Sequence, residues 1–315
     1  MIAYHVLCHD NLPQVVELIE SLYSPDDAFL IDIDDGKRPD LRPLDALKGR
    51  ANVEIRRDAD IGWGAAGTLR KTLEGSFRLL ERTGWQYYVV LSGQDLALKS
   101  NAHIKERLSA GLDGRISYVR CHRAEPVGLS ALPVKNPGPK PKRWEDRGHT
   151  RLWAMPGVVS PHVHMYGRRL VDVTEVGELG QVYVSPCDSL VTRRRDDFFA
   201  RFPLYTGPNW FTLHRSLVEH MQDDPFAYEL YDLMRTTFIP DESYYQTYIK
   251  NSDWRDRVDH DYGRLIVRPA DHPAPKVFTL ADWPLIQASD ALYARKFDNR
   301  RDRRVVQRVL AARAA

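Results

Sequence analysis

The sequence predicts an α/β protein with a mostly parallel central sheet flanked by helices. Strand-like and helix-like patterns alternate through the first hundred residues, as strand–crossover–strand units do. Several of the strand-like runs are short and apolar throughout, as buried strands are. The polar residues just past these runs form compact groups, Cys8-His9-Asp10, Asp32-Ile33-Asp34-Asp35 and Ser92-Gly93-Gln94-Asp95. Ligands of such sheets bind beyond the carboxyl ends of the strands.

The elements follow in order. Met1–Leu7 is apolar and β-prone. Leu12–Leu22 carries Val15, Val16, Leu18, Ile19 and Leu22 at helical spacing. Ala28–Ile33 and Val53–Arg56 read as the second and third strands. Thr68–Thr83 places Leu69, Leu73, Phe77 and Leu80 on one helix face. Trp85–Leu91 is a fourth strand, and a further helix begins at Ala102. Pro126–Arg151, with Pro133, Pro137, Pro139, Pro141 and several Lys and Arg residues, reads as a long surface loop. Regular structure is expected again at Gln181–Leu190, Leu217–Met221 and Asp241–Lys250. No linker divides the chain, so one domain is expected over 1–315. Its expected parts are 1–115, 116–292 and a basic C-terminal helix, 293–315.

Composition narrows the class. The 43% hydrophobic and 28% charged content is that of a globular protein, and no apolar run is long enough to span a bilayer. The N-terminal run lacks the basic start and the length of a secretion signal and reads as a first strand. Cys8, Cys121 and Cys187 lie far apart with no CxxC pair, which fits a reducing cytoplasm better than a disulfide scaffold. A net charge of +2 favours no particular partner. The tail Arg300-Arg301-Asp302-Arg303-Arg304 through Arg308 and Arg313 reads first as a solvated helix face, and second as a patch for a membrane surface or a polyanion.

The most informative stretch is Ile239-Pro240-Asp241-Glu242-Ser243-Tyr244-Tyr245. It sets two carboxylates at the expected entrance of an aromatic-rich helix, where first-turn N–H groups can hold and aim one of them. Downstream, Ala294-Arg295-Lys296-Phe297-Asp298 pairs two cations. A base with a separate cationic clamp suits group transfer from a phosphorylated donor. Asp32-Ile33-Asp34 is a D-x-D at a strand end, a weak pattern for a metal that bridges carboxylate and phosphate. The strand end where such a motif is expected holds only Asp95. A site without metal needs side-chain cations for the leaving diphosphate, and Arg264, Arg295 and Lys296 are available.

These segments, with Phe29–Asp34, Gly62-Trp63-Gly64, Leu91–Ser100, Gly207-Pro208-Asn209-Trp210-Phe211 and Gly263-Arg264-Leu265-Ile266, occur in one order along the chain. In that order it resembles the core-2/I-branching β-1,6-N-acetylglucosaminyltransferase family, which includes the peptide O-xylosyltransferases. The resemblance implies a GT-A-type fold, a UDP-sugar donor, inversion at the anomeric carbon, and no metal or other cofactor. It implies Glu242 as catalytic base and Arg264 and Lys296 as diphosphate ligands, with Asp34 in the nucleotide-binding half and Trp210 on the acceptor side. His9, Trp63, Asp95 and Arg295 are placed with the donor, and Asp241 with the acceptor. The acceptor is expected to be a glycan or polysaccharide.

Blander readings stand beside these. Glu242 suits the start of a helix on dipole grounds alone, Asp95 suits a helix cap, and Trp63 and Trp210 suit the core or its rim. His162 and His164 share a strand face but lack a clear third metal ligand. Two other functions are compatible with the chain: transfer to a modified nucleic-acid base, and non-catalytic binding of a nucleotide sugar or glycan.

Overall fold

The computed structural model describes residues 1–58, 66–124, 197–235, 239–269 and 274–313, together with the backbone of 150–153, 162–165, 169–176, 181–186, 237–238 and 314. Trp63 and residues 126–149 of the proline-rich segment lie outside the described residues.

The first strands are β1 (Ile2–Cys8), β2 (Ala28–Asp34), β3 (Val53–Asp58) and β4 (Tyr87–Ser92). They pair in parallel in the order β4-β1-β2-β3. β6 (Ser117–Tyr118), Thr212–His214 and Val258–Asp259 extend this sheet beyond β4 to seven strands. Only the pairings made by Thr212–His214 are antiparallel. The expected α/β architecture is therefore present, with each early element within a few residues of its predicted range. β1 is buried along its whole length and β4 up to Leu91 because one core cluster lies on each side of the sheet.

The crossovers are amphipathic. Helix α1 (Leu12–Leu22) buries Leu12, Val15, Leu18, Ile19 and Leu22 at three- and four-residue spacing. Each such side chain contributes about 1.5–3 kcal/mol of burial. Pro13 suits its first turn, and its last residue is followed by an extended Tyr23. Helix α2 (Ala66–Leu80) buries Leu69, Leu73 and Leu79 against the other face. Helix α3 (Asn101–Ser109) starts at Ser100, whose hydroxyl accepts from the His103 N–H.

A buried polar network joins these layers. His5 on β1 lies 2.8 Å from Asp32 Oδ2 on β2 and 2.6 Å from Tyr88 Oη on β4. Arg56 on β3 donates to both Asp32 oxygens, and Tyr88 donates to the Thr72 carbonyl of α2. Burial pushes the Asp32 carboxyl up, but its bonds to His5 and Arg56 outweigh burial and hold it at about 2. Gly75 permits the close approach of α2, since a Cβ there would lie 2.3 Å from His5 Cε1.

Two expectations for the later chain are corrected. The span from Thr150 to Pro186 forms an antiparallel run of strands, Thr150–Trp153, His162–Met165, Arg169–Val176 and Gln181–Pro186, where the sequence predicts regular structure only from Gln181. Thr237–Phe238 joins this second sheet alongside His162–Met165. The region 293–315 is not one helix. Tyr293–Arg295 is a strand in a three-stranded sheet with Arg264–Ile266 and β5 (Asp95–Ala97), and the helix spans Arg303–Ala314. Tyr293 and Ala294 are core residues of the first cluster, and that burial fixes the strand.

Candidate active site

The carboxyl ends of β1 and β4 are tied to the segment after Tyr293–Arg295. The Gly93 N–H donates to the Leu7 carbonyl, and the Phe297 N–H to the Gln94 carbonyl. The buried Gln14 amide donates to the carbonyls of both Gly93 and Phe297, each at 3.0 Å. Asn11 reaches Asp298 and Asn299 through its own amide. Three stretches far apart in sequence thus meet at one sheet end. His9 is exposed there, next to Asp10, which pairs with Arg300. Asp34 ends β2 at the same edge, and its carboxylate accepts from the Gly36 N–H.

Asp95 does not cap the following helix; Ser100 does. Asp95 sits in β5 directly across from Arg295 in an antiparallel pair. Its carboxylate accepts from the Ser92 N–H, and its other oxygen lies 3.5 Å from Arg295 Nε. Both groups are buried, and neither of these two atoms has a hydrogen bond. The Arg295 guanidinium also lies 3.7 Å from the centroid of the Trp210 ring, a cation–π contact. One face of the half-buried Trp210 is therefore taken by Arg295.

Asp241 and Glu242 lie in a 3-10 turn, Pro240–Glu242, ahead of the helix Tyr244–Lys250. The expectation that the helix's first N–H groups hold a carboxylate is corrected: neither start carries a side-chain cap. The extended φ of Ser243 separates turn from helix, and Ile239 enters the turn with a left-handed φ of 52°. The turn is held by its backbone, with the Gly207 N–H donating to the Glu242 carbonyl at 2.9 Å. Only glycine fits at 207, because a Cβ would lie 1.9 Å from the Arg120 carbonyl oxygen. The preceding strand, Thr237–Phe238, is an edge of the second sheet.

The two carboxylates differ in environment. Asp241 is buried, its Oδ1 lacks a hydrogen bond, and burial with the neighbouring Glu242 pushes it up to about 7. Glu242 is half-buried, and burial raises it against the opposing pull of Arg268 and Arg295. Burial lowers Arg295 and Lys296, and each also feels Arg268. Arg268 is exposed, four residues past Arg264, and was not singled out by the sequence. Its signal was faint: it continues the period-two row of Arg264 and Ile266 past the end of their strand.

Arg264 faces inward. It is buried over the Tyr293 ring and donates to the carbonyls of Val90 and Tyr262. Arg295 thus touches both Asp95 and Trp210, while Glu242 feels the charges of Arg268 and Arg295, and Lys296 those of Arg295, Asp95 and Arg268. His9 and Asp34 stand at the neighbouring strand ends, and Trp63 lies outside the described residues. Among the described residues no group of three or more His, Cys, Asp or Glu is placed to hold a metal ion. His162 and His164 are on one strand by backbone.

The site thus gathers near the carboxyl ends of an α/β sheet, where ligands of such sheets bind. The chain belongs to the Core-2/I-Branching enzyme family, whose model matches residues 2–130 and 180–290. A human probable beta-1,3-galactosyl-O-glycosyl-glycoprotein beta-1,6-N-acetylglucosaminyltransferase 7 is 22% identical over 97% of this chain and 66% of its own length. Human xylosyltransferase 2 is 25% identical over 80% of this chain and 24% of its own. Drosophila melanogaster xylosyltransferase oxt is 23% identical over 91% and 30%. The chain therefore spans from about a quarter to about two-thirds of the length of these relatives. Mouse xyloside xylosyltransferase 1 aligns over 93% of this chain and 97% of its own at 10% identity, with a TM-score of 0.33. S. aureus TarS aligns over 42% and 37% at 13% identity, with a TM-score of 0.27. Superpositions with TM-scores that low add nothing to the family assignment.

Proposed function

We propose that the chain is an inverting glycosyltransferase that needs no metal and moves N-acetylglucosamine or xylose from a UDP-sugar to a hydroxyl of a glycan or polysaccharide. The observation that carries this reading is one half-buried carboxylate, Glu242, whose proton affinity burial raises and the charges of Arg268 and Arg295 oppose. A raised proton affinity suits a general base. Glu242 takes the proton of the acceptor hydroxyl as its oxygen attacks the anomeric carbon. The bond from that carbon to the diphosphate oxygen breaks, and UDP leaves with the electron pair. A single displacement inverts the centre. Lys296, Arg268 and Arg295 offset the charge that develops on the diphosphate. Arg264 supports them from the core side, where its guanidinium braces β4.

A D-x-D metal site fits poorly, because the Asp32 carboxylate is already shared between His5 and Arg56 and that of Asp34 caps a turn. His9, Asp34 and Asp95 are assigned to the donor side, and Trp210 with Asp241 to the acceptor side. The second sheet leads straight into the carboxylate turn through Thr237–Phe238, which suits a role in choosing the acceptor. The free, buried Cys8 and Cys121 suit a reducing compartment such as the cytoplasm. Names of the relatives, a β-1,6-N-acetylglucosaminyltransferase and xylosyltransferases, supply the two candidate sugars.

The test is a thermal-shift panel of nucleotide sugars with and without EDTA, since a ligand that binds the folded state raises its melting temperature. One UDP-sugar is expected to raise it equally in both conditions. No shift with any UDP-sugar, or a shift that EDTA abolishes, contradicts the reading.

A further inference from the structure

The last forty residues carry a charge pattern that the active site does not use up. Residues 276–315 hold nine Lys or Arg against four Asp, in a chain whose net charge is only +2. Part of this excess stands next to exposed apolar side chains. Leu280 and Leu285 are 37% and 47% exposed, two of the four large hydrophobic residues that are exposed among the described residues. Both flank Trp283, which is half-buried, in the segment formed by the 3-10 turn Leu280–Asp282 and the helix Trp283–Gln287. This segment and the helix Arg303–Ala314 form the two walls of an open groove lined by Leu280, Trp283, Pro284, Arg304 and Arg308. Arg308 is exposed and lies 5.1 Å from the centre of the Trp283 ring. Arg301 and Arg304 are exposed just before it, Arg304 paired with Asp302.

An aromatic ring and two leucines at the surface, bordered by guanidinium groups, match the two layers of a lipid interface. Anionic headgroups meet the cations while the apolar side chains enter the acyl boundary. A polyanion such as a nucleic acid has use for the arginines alone. We infer that this face, Leu280–Gln287 with the exposed arginines of the helix Arg303–Ala314, docks the protein peripherally on an anionic lipid bilayer. No helix among the described residues is long and apolar enough to cross a membrane, so the contact is with one leaflet's surface. Arg303 pairs with Glu17, Arg300 with Asp10 and Asp298, and Arg304 with Asp302, so Arg301 and Arg308 are the cations assigned first to headgroups, with the exposed Arg304 between them.

Co-sedimentation with vesicles tests this. Binding is expected to phosphatidylcholine vesicles containing about a quarter phosphatidylglycerol, and to fall at least about tenfold on vesicles of phosphatidylcholine alone. The charge reversal R301E/R304E/R308E is expected to remove it by a similar factor. The double change L280S/L285S, which leaves every charge in place, is expected to weaken it about tenfold or more, the cost of two leucine side chains no longer entering the interface. Unchanged thermal unfolding and an unchanged circular dichroism spectrum show that each variant is folded. Failure to bind anionic vesicles overturns the inference. So does binding that L280S/L285S leaves intact, because the surface then serves soluble polyanions through its arginines. The outcome is independent of the glycosyltransferase reading, since no sugar donor takes part.

Discussion

Asp241→Asn should change how stability depends on pH, and the size of the change follows from the site. In the wild type the Asp241 carboxyl is buried beside Glu242 and loses its proton only at about 7. In the unfolded chain it does so near 4. Between these values the folded state holds one more proton than the unfolded state, so stability falls as pH rises. Each pH unit is worth about 1.4 kcal/mol, and the interval is worth up to about 4 kcal/mol. Below pH 4 both states are protonated and the penalty vanishes; above 7 it is complete. Asparagine cannot ionise, so D241N should gain on the wild type steadily from pH 4 to 7 and then hold its gain. Any fixed cost of burying an amide beside the same neighbours shifts the whole curve without changing its slope. Urea unfolding followed by circular dichroism at a series of pH values measures this. Glu242→Gln removes the neighbouring charge and should flatten the wild-type slope in part. A difference between wild type and D241N that does not vary with pH between 4 and 7 refutes the reasoning.

Other outcomes follow from the same geometry. Gly207→Ala should destabilise the fold by more than about 3 kcal/mol or displace the carboxylate turn, because its Cβ meets the Arg120 carbonyl; a melting temperature and transfer activity equal to the wild type contradict this. Lys296→Ala should weaken UDP binding about tenfold or more while leaving the melting temperature of the unliganded protein nearly unchanged, as calorimetric titration and thermal unfolding can check. His5→Phe should cost about 3–5 kcal/mol, since Asp32 keeps its burial and loses one of its two partners; denaturant unfolding reports it, and a cost under about 1 kcal/mol counts against the network.

Much of this was legible before any coordinates. Runs such as Ala28–Asp34 and Tyr87–Ser92 announce themselves because both faces of the parallel sheet are buried and polar alternation disappears. The spacing of Leu12, Val15, Leu18 and Leu22 marks a helix by the same logic. The site was legible as motifs and not as geometry. Asp95 and Arg295 are two hundred residues apart in sequence, and only the pairing of two three-residue strands sets them opposite each other. Such short strands leave almost no periodic signal. The alternation in Arg169–Val176 is too irregular to stand out, and its pairing with Gln181–Pro186 contains a register shift. The charges of Arg295 and Lys296 group Tyr293–Arg295 with the basic tail in sequence, whereas burial of Tyr293 and Ala294 draws it into a sheet. The D-x-D motif was visible as two carboxylates, but that one of them is spent on His5 and Arg56 depends on partners on other strands. Arg268 belongs to no motif at all, and its place near Glu242 is purely tertiary.

The central claim is that the Glu242 carboxylate accepts the proton of the incoming hydroxyl. Once the donor is known, single-turnover transfer by Glu242→Gln, set beside its affinity for UDP, tests that claim most directly. The amide keeps the shape of the side chain and cannot take a proton. Transfer should slow by about a hundred- to ten-thousandfold, with UDP affinity within about threefold of the wild type. Transfer at an unaltered rate would mean that another group performs the deprotonation.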